Sequence, residues 1–392
     1  MKWGISLYPE HSTVEQDCSY IERAAAHGFS RIFSCLLSVE GDSRQVKHES
    51  AQLTSCAHAN GMEVIFDVAP SVFSKLGISY DDLSFFHEIG ADGIRLDEPF
   101  QPSQVADMTR SPYGLMIELN ASSADGILPA TLTHDPDRAR LISCHNFYPQ
   151  RFSGLDTAFF ERESALVREL GVSLAAFIGI PRDDAFGPWP LKEGLVTLEC
   201  HRGLPLDFQA RHLSAMGLID DIIISNCFAT EEELASVEEI DRSLVQFRPV
   251  ADPGLTDNER TVALYPKHKV RGDLSPYLLR STWSRVEFAD LDIPARPVGR
   301  DLMRGDVVVV NNAAPLQGRA AACAPGHARR RHPQCGRHAA RSRADAPGVP
   351  GLLVAFRRPA VGQIAPRPHV GAGCGSCGSH GARPGSASEI EE

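Results

Sequence analysis

Carboxylates at the ends of short apolar runs are the side chains of this sequence best suited to do chemistry. In Gly93-Ile94-Arg95-Leu96-Asp97-Glu98, an extended segment that packs Ile94 and Leu96 on one side sends Arg95 and Asp97 to the other. The same alternation in Leu115-Met116-Ile117-Glu118-Leu119-Asn120 groups Glu118 with Asn120. Asp67 lies near the end of a third apolar run and Glu10 just beyond the first, while His145 and Asn146 belong to a sixth and Asn226 to an eighth. Two carboxyl groups near each other can divide acid and base work, because burial and mutual repulsion keep one of them protonated. Cleavage of a glycosidic bond needs such a pair, one group protonating the leaving oxygen and the other attacking or activating water. Glu118 is the expected acid and Asp97 its partner; the competing reading makes Asp97 a structural counter-ion of Arg95.

The elements that must position these groups alternate regularly over residues 1–240. Eight strand candidates (Trp3–Tyr8, Arg31–Leu36, Glu63–Val68, Gly93–Asp97, Gly114–Asn120, Leu141–Phe147, Ser173–Ile178 and Asp221–Asn226) are separated by helix signals. Ser12 with Glu15 and Thr230 with Glu233 read as capping boxes, and Asp156 opens another helix. Strand–helix units repeated eight times predict an α/β fold, a (β/α)8 TIM barrel, whose chemistry sits at the carboxyl ends of the strands. A doubly wound sheet is the alternative, but no glycine-rich phosphate loop follows the first strand. Asp220 and Asp221 precede the eighth strand and belong to the opposite face. After the seventh strand, Phe186-Gly187-Pro188-Trp189-Pro190-Leu191-Lys192 offers Trp189 to a sugar face and Lys192 to a phosphate, with Arg151 a second candidate cation.

Charge divides the chain at residue 312. The whole sequence carries a net charge of −11, but residues 1–312 hold 28 basic and 46 acidic side chains, whereas 313–392 hold 11 Arg, no Lys and 4 acids. That second segment, rich in Ala, Gly and Pro with Phe356 its single aromatic, is predicted to be a disordered tail. Its residues are those of GC-rich codons, and degenerate codons for Ala313 to Ala328 read one nucleotide later permit Leu-Arg-Tyr-Lys-Gly-Glu-Leu-Gln. A frameshift near Asn311 or Asn312 is the reading adopted. The cysteines form no disulfide framework, the opening residues resemble no signal peptide, and a cytoplasmic location is expected. No His-x-His pair, Glu-x-x-His helix or strand-end lysine marks a metal or Schiff-base site, and Cys374-Gly375-Ser376-Cys377 lies in the suspected off-frame tail.

Several ordered segments resemble one bacterial family: Ile5 to Thr13, Ser34 to Gly41, Gly77 to Phe86, Gly90 to Asp97, Cys144 to Arg151, and Phe186 to Pro190. They are similar to the 6-phospho-N-acetylmuramidases, once described as outer-surface proteins. The resemblance continues through Arg271-Gly272-Asp273, Arg280 to Arg285 and Arg304 to Val309, then stops. It implies a TIM barrel over 1–240 and a cyclophilin-like β domain, here confined to 245–312. It also implies hydrolysis of the β-1,4 bond between N-acetylmuramic acid 6-phosphate and N-acetylglucosamine during peptidoglycan recycling. The partner is then a small phosphorylated disaccharide, with no metal or organic cofactor, nucleic acid or membrane involved. Arg280 or Arg285 is expected to close over the phosphate. A sugar-phosphate isomerase or aldolase, and a non-catalytic carbohydrate-binding protein, are the alternatives.

Overall fold

The computed structural model describes residues 1–312 apart from 37–42, 70–71, 74–75, 77, 99, 267, 274–276, 282, 296–301 and 304, together with three strands beyond them. Eight parallel strands close into a barrel in chain order: β1 (Lys2–Leu7), β2 (Arg31–Cys35), β3 (Glu63–Val68), β4 (Gly93–Leu96), β5 (Met116–Asn120), β6 (Leu141–Cys144), β7 (Ser173–Ile178) and β8 (Asp221–Ile224). The helices that follow them in turn are α1 (Val14–Ala26), α2 (Ser43–Ala59), α3 (Ser84–Glu88), α4 (Pro102–Thr109), α5 (Ile127–Leu132), α6 (Thr157–Glu169), α7 (Leu206–Met216) and α8 (Glu231–Glu238). The expected TIM barrel is therefore the observed fold, and the doubly wound alternative fails because β1 pairs with both β2 and β8, leaving no edge. Asp156 and Thr230 cap α6 and α8 as expected. At α1 the capping box is Thr13 with Gln16, one residue later than Ser12 with Glu15, while Ser12 donates to Asp17 instead.

Alternation along the strands fills two layers. Ile94 and Leu96 pack outward among the helices, while Phe33 and Phe177 meet edge to face inside the barrel at 5.2 Å and Phe147 covers both. The wall is close where β4 passes between β3 and β5: a methyl group on Gly93 would stand 2.6 Å from the Met116 carbonyl and 2.7 Å from the Ile65 side chain. At the seam, Lys2 to Ile5 pair with Asp221 to Ile224, and the Tyr8 hydroxyl donates to the Ser225 carbonyl at 2.6 Å. Outside the seam, His27 at the end of α1 lies between Glu231 (2.8 Å) and Glu238 (2.6 Å) of α8, joining the first helix to the last. No helix among the described residues is long and apolar enough to cross a membrane.

Beyond the barrel come β9 (Leu244–Phe247), β10 (Val250–Ala251), α9 (Asp257–Ala263), β11 (Leu278–Arg280), α10 (Trp283–Glu287) and β12 (Val307–Val310). A small core of Val262, Ala263, Ile293 and Val309 joins α9 to β12. The three further strands are β13 (Ala320–Cys323), β14 (Ala339–Arg343) and β15 (Val354–Arg357). β13 and β14 flank β12 in an antiparallel sheet of order β10-β14-β12-β13-β11, and β15 pairs with β9. The expectation of a disordered segment from 313 onward otherwise falls outside the described residues.

Two outcomes follow from this packing. Gly93→Ala should cost about 1–3 kcal/mol of unfolding free energy, the usual range for overpacking; an unchanged denaturant midpoint would show that the wall yields. Glu238 and Glu231 raise the affinity of His27 for its proton, so its contribution to stability is complete below about pH 6.5, the ordinary imidazole value, and disappears as pH rises through the raised one. The melting temperature of His27→Gln should therefore fall short of the unsubstituted protein's at acid pH and converge with it at alkaline pH. A pH-independent difference would assign the effect to packing.

Candidate active site

Arg95 organises the mouth of the barrel. On β4 it lies in register between Asp67 of β3 and Glu118 of β5, so all three side chains point inward. Its Nη1 donates to Asp67 Oδ1 at 2.5 Å and to Asp97 Oδ1 at 2.8 Å, and its Nη2 donates to Asn146 Oδ1 just beyond β6. Two carboxyl groups and an amide from three strands are thus held by one guanidinium. Their environments differ: Asp67 is buried, whereas the Asp97 side chain is 34% exposed. Burial pushes the Asp67 carboxyl up to about 7 against the pull of Arg95, and the neighbouring Asp97 charge adds to the rise. Near neutral pH one carboxyl of the pair is therefore part protonated beside another that faces solvent.

Glu118, the expected acid, points inward but occupies a different position. It has no exposed surface, and its Oε1 accepts from Arg31 Nη2, a side chain reaching across the barrel from the start of β2. Arg31 also donates to Asp221 at 2.8 Å at the opposite end from the mouth, where Asp221 was expected. Glu118 serves here as counter-ion to a buried guanidinium, and its register neighbour Arg95 is already occupied. Arg31 was not singled out from sequence; a charged residue opening an otherwise apolar run was the available signal.

The remaining candidates divide into two groups. Asn146 joins the Arg95 cluster, and Trp189, 43% exposed, stands edge-on against Phe147 at 5.8 Å, continuing the aromatic interior to the rim. Arg151 is exposed, and its guanidinium has no protein partner among the described residues; Lys192 donates to the Asp183 carbonyl. The others hold structure together. His145, expected among the substrate-binding groups, is fully buried between β6 and α6, where its ring nitrogens meet Ser122 (3.1 Å) and Ser164 (3.0 Å) and its ring packs on Phe160; burial pushes its pKa down to about 3. Asn226, past β8, accepts from the Ile180 N–H in the loop after β7, and Asn120 from the Ser122 N–H in its own loop. Glu10 is the exception: it sits half-buried in a 3-10 turn after β1, its pKa raised by burial and both its oxygens unpartnered among the described residues. Arg280 donates to Asp273, which also binds Arg271.

The loops after β7 and β8, where a phosphate was expected, border a cavity of about 340 Å³ lined by Arg23, Arg182, Asp184, Phe186, Phe228, Ala229, Thr230 and Glu231. None of these residues belongs to the Arg95 cluster. Arg182 is committed to Glu233, Asp184 and the Phe228 carbonyl, and the first turn of α8 carries Glu231, Glu232 and Glu233. That end of the helix repels an anion.

Residues 3–239 match the family model described as 6-phospho-N-acetylmuramidase, N-terminal, and residues 245–316 match its C-terminal counterpart, which ends close to the compositional break. Among solved structures, the chain is similar to an uncharacterized B. cereus protein, with 42% identity over 87% of this chain and 93% of that one and a TM-score of 0.74. A conserved Enterococcus faecalis protein with an unknown function shares the fold at 22% identity, over 91% of this chain and 96% of that one, with a TM-score of 0.58. No curated protein matches the chain. With both models matched in order through most of its length, the chain belongs to the 6-phospho-N-acetylmuramidase family.

Proposed function

We propose that this protein is a glycoside hydrolase that cleaves the β-1,4 bond between N-acetylmuramic acid 6-phosphate and N-acetylglucosamine, in the bacterial cytoplasm during peptidoglycan recycling. Asp67 acts as the acid and Asp97 as the second carboxylate. The observation that carries this reading is the sharing of one Arg95 nitrogen by two carboxyl groups of unequal burial, one of them pushed up to about 7. Family membership supports the substrate class.

The roles follow from the geometry. Protonated Asp67 gives its proton to the leaving sugar oxygen, and Arg95 stabilises the carboxylate that results. Two oxygens bonded to the same nitrogen lie within about 5 Å of each other, nearer the about 5–5.5 Å separation of retaining enzymes than the about 6.5–9.5 Å of inverting ones. Asp97 therefore attacks the anomeric carbon as the leaving oxygen departs. Water then cleaves the glycosyl ester, with ionised Asp67 taking the water's proton. Trp189 stacks on a sugar face, and Arg151 and Lys192 meet the 6-phosphate. Glu118 keeps Arg31 neutralised inside the wall and touches no substrate.

Kinetic, thermodynamic and stereochemical measurements test this assignment. The phosphorylated disaccharide should be turned over well ahead of its unphosphorylated analogue, and Asp67→Asn or Asp97→Asn should lower kcat by about 10²–10⁴ while melting stays cooperative. Glu118→Gln should instead cost about 3–5 kcal/mol of stability; full stability with turnover lost would return the acid role to Glu118. Activity should fall as pH rises past about 7, where Asp67 loses its proton. The N-acetylmuramic acid 6-phosphate freed by water should appear first as the β anomer, and the α anomer as initial product would exclude Asp97 as nucleophile. Absence of cleavage both by the chain as written and by a frame-restored version would overturn the reading.

A further inference from the structure

We infer that Cys200, His201 and His212 form a binding site for a divalent transition metal, zinc by ligand chemistry, on the outer side of the barrel next to α7. Among the described residues these three side chains bring one possible ligand atom each to within 4.8 Å of one another. Cys200 and His201 belong to a 3-10 turn, Glu199–His201, and His212 to the second turn of α7; His201 Nε2 and His212 Nδ1 are 2.8 Å apart. One thiolate and two imidazoles form the soft-to-borderline donor set that favours zinc over magnesium or calcium. Ligand atoms at about 2.0–2.3 Å from a tetrahedral ion stand about 3.3–3.6 Å apart, so the two rings need to part by roughly half an ångström. The pocket is partly prepared, because His201 is fully buried with its ring centroid 5.0 Å from that of His212. Cys200, by contrast, is exposed, which gives the ion a route in and leaves its fourth position to water. Binding replaces the hydrogen bond between the imidazoles with two metal–nitrogen bonds and releases the thiol proton to solvent.

The location gives the ion something to do. Glu199, next to Cys200, accepts the backbone N–H groups of Phe152 (2.8 Å) and Gly154 (2.8 Å) and pairs with Arg202, so this turn holds the loop that carries Arg151. A metal joining the turn to α7 fastens that loop to the barrel wall without contact with the carboxylates. The site stands independently of the proposed hydrolysis.

The test is titration of the reduced, full-length protein with cobalt(II), which reports thiolate ligation by a charge-transfer band, followed by displacement with zinc. Cys374 and Cys377 lie in the same chain, so the signal is read as the difference between the unsubstituted protein and the variants Cys200→Ser and His212→Gln, whose folding is checked by melting. One equivalent of band intensity should disappear in both variants, and zinc should raise the melting temperature of the unsubstituted protein alone. Equal bands in all three proteins, or a loss with Cys200→Ser that His212→Gln does not reproduce, would overturn the site.

Discussion

Arg31 and Arg95 are sealed inside the barrel with almost no exposed surface, and a charge removed from water must be neutralised where it stands. Arg31 takes Glu118 and Asp221; Arg95 takes Asp67 and Asp97, with Asn146 completing its fork. The interior is thereby organised along its axis, with a closed ion pair toward the amino ends of the strands and an open one at the mouth. Only the open one leaves a carboxylate facing solvent at the mouth, Asp97. The aromatic packing of Phe33, Phe147 and Phe177 occupies the same interior and limits how far water can reach the lower pair.

Much of this was legible in the sequence. The eight runs and their separating caps gave the barrel, since apolar alternation and capping residues report local conformation directly. Inward direction was legible too: Asp67, Arg95, Asp97 and Glu118 all followed the period of two. Which partner each found was not. Glu118 meets a residue 87 positions away across the barrel, and no local pattern encodes that distance. His145 was misplaced for a related reason: it lies just past the last paired residue of β6, where the alternation that assigns a face no longer applies. Cys200 and His201 meet His212 only after the chain turns into α7, a spacing that no local metal-ligand motif marks.

Polar residues at the strand ends mostly serve the loops above them. Asn226 and Ser225 hold the strand that leaves β7, Thr197 bridges the Phe177 N–H and the Asn146 carbonyl, and Ser122 links His145 to the Asn146 N–H. This shell accounts for the surplus of polar candidates over reacting groups, since each loop departing from a buried strand exposes backbone groups that need partners. It also fixes Asn146 from both sides, and through Asn146 the orientation of Arg95.

The seam between β1 and β8 has a consequence for how the chain is made. Tyr8 must wait for Ser225, 217 residues later, before its hydroxyl finds its acceptor. At about 5–20 residues per second on the ribosome, that interval is on the order of ten to forty seconds. During it, the first strand emerges with one edge unpaired and rich in apolar side chains, open to strangers. The seam therefore leaves the nascent chain exposed for longest at the strand whose fold-mate is translated last.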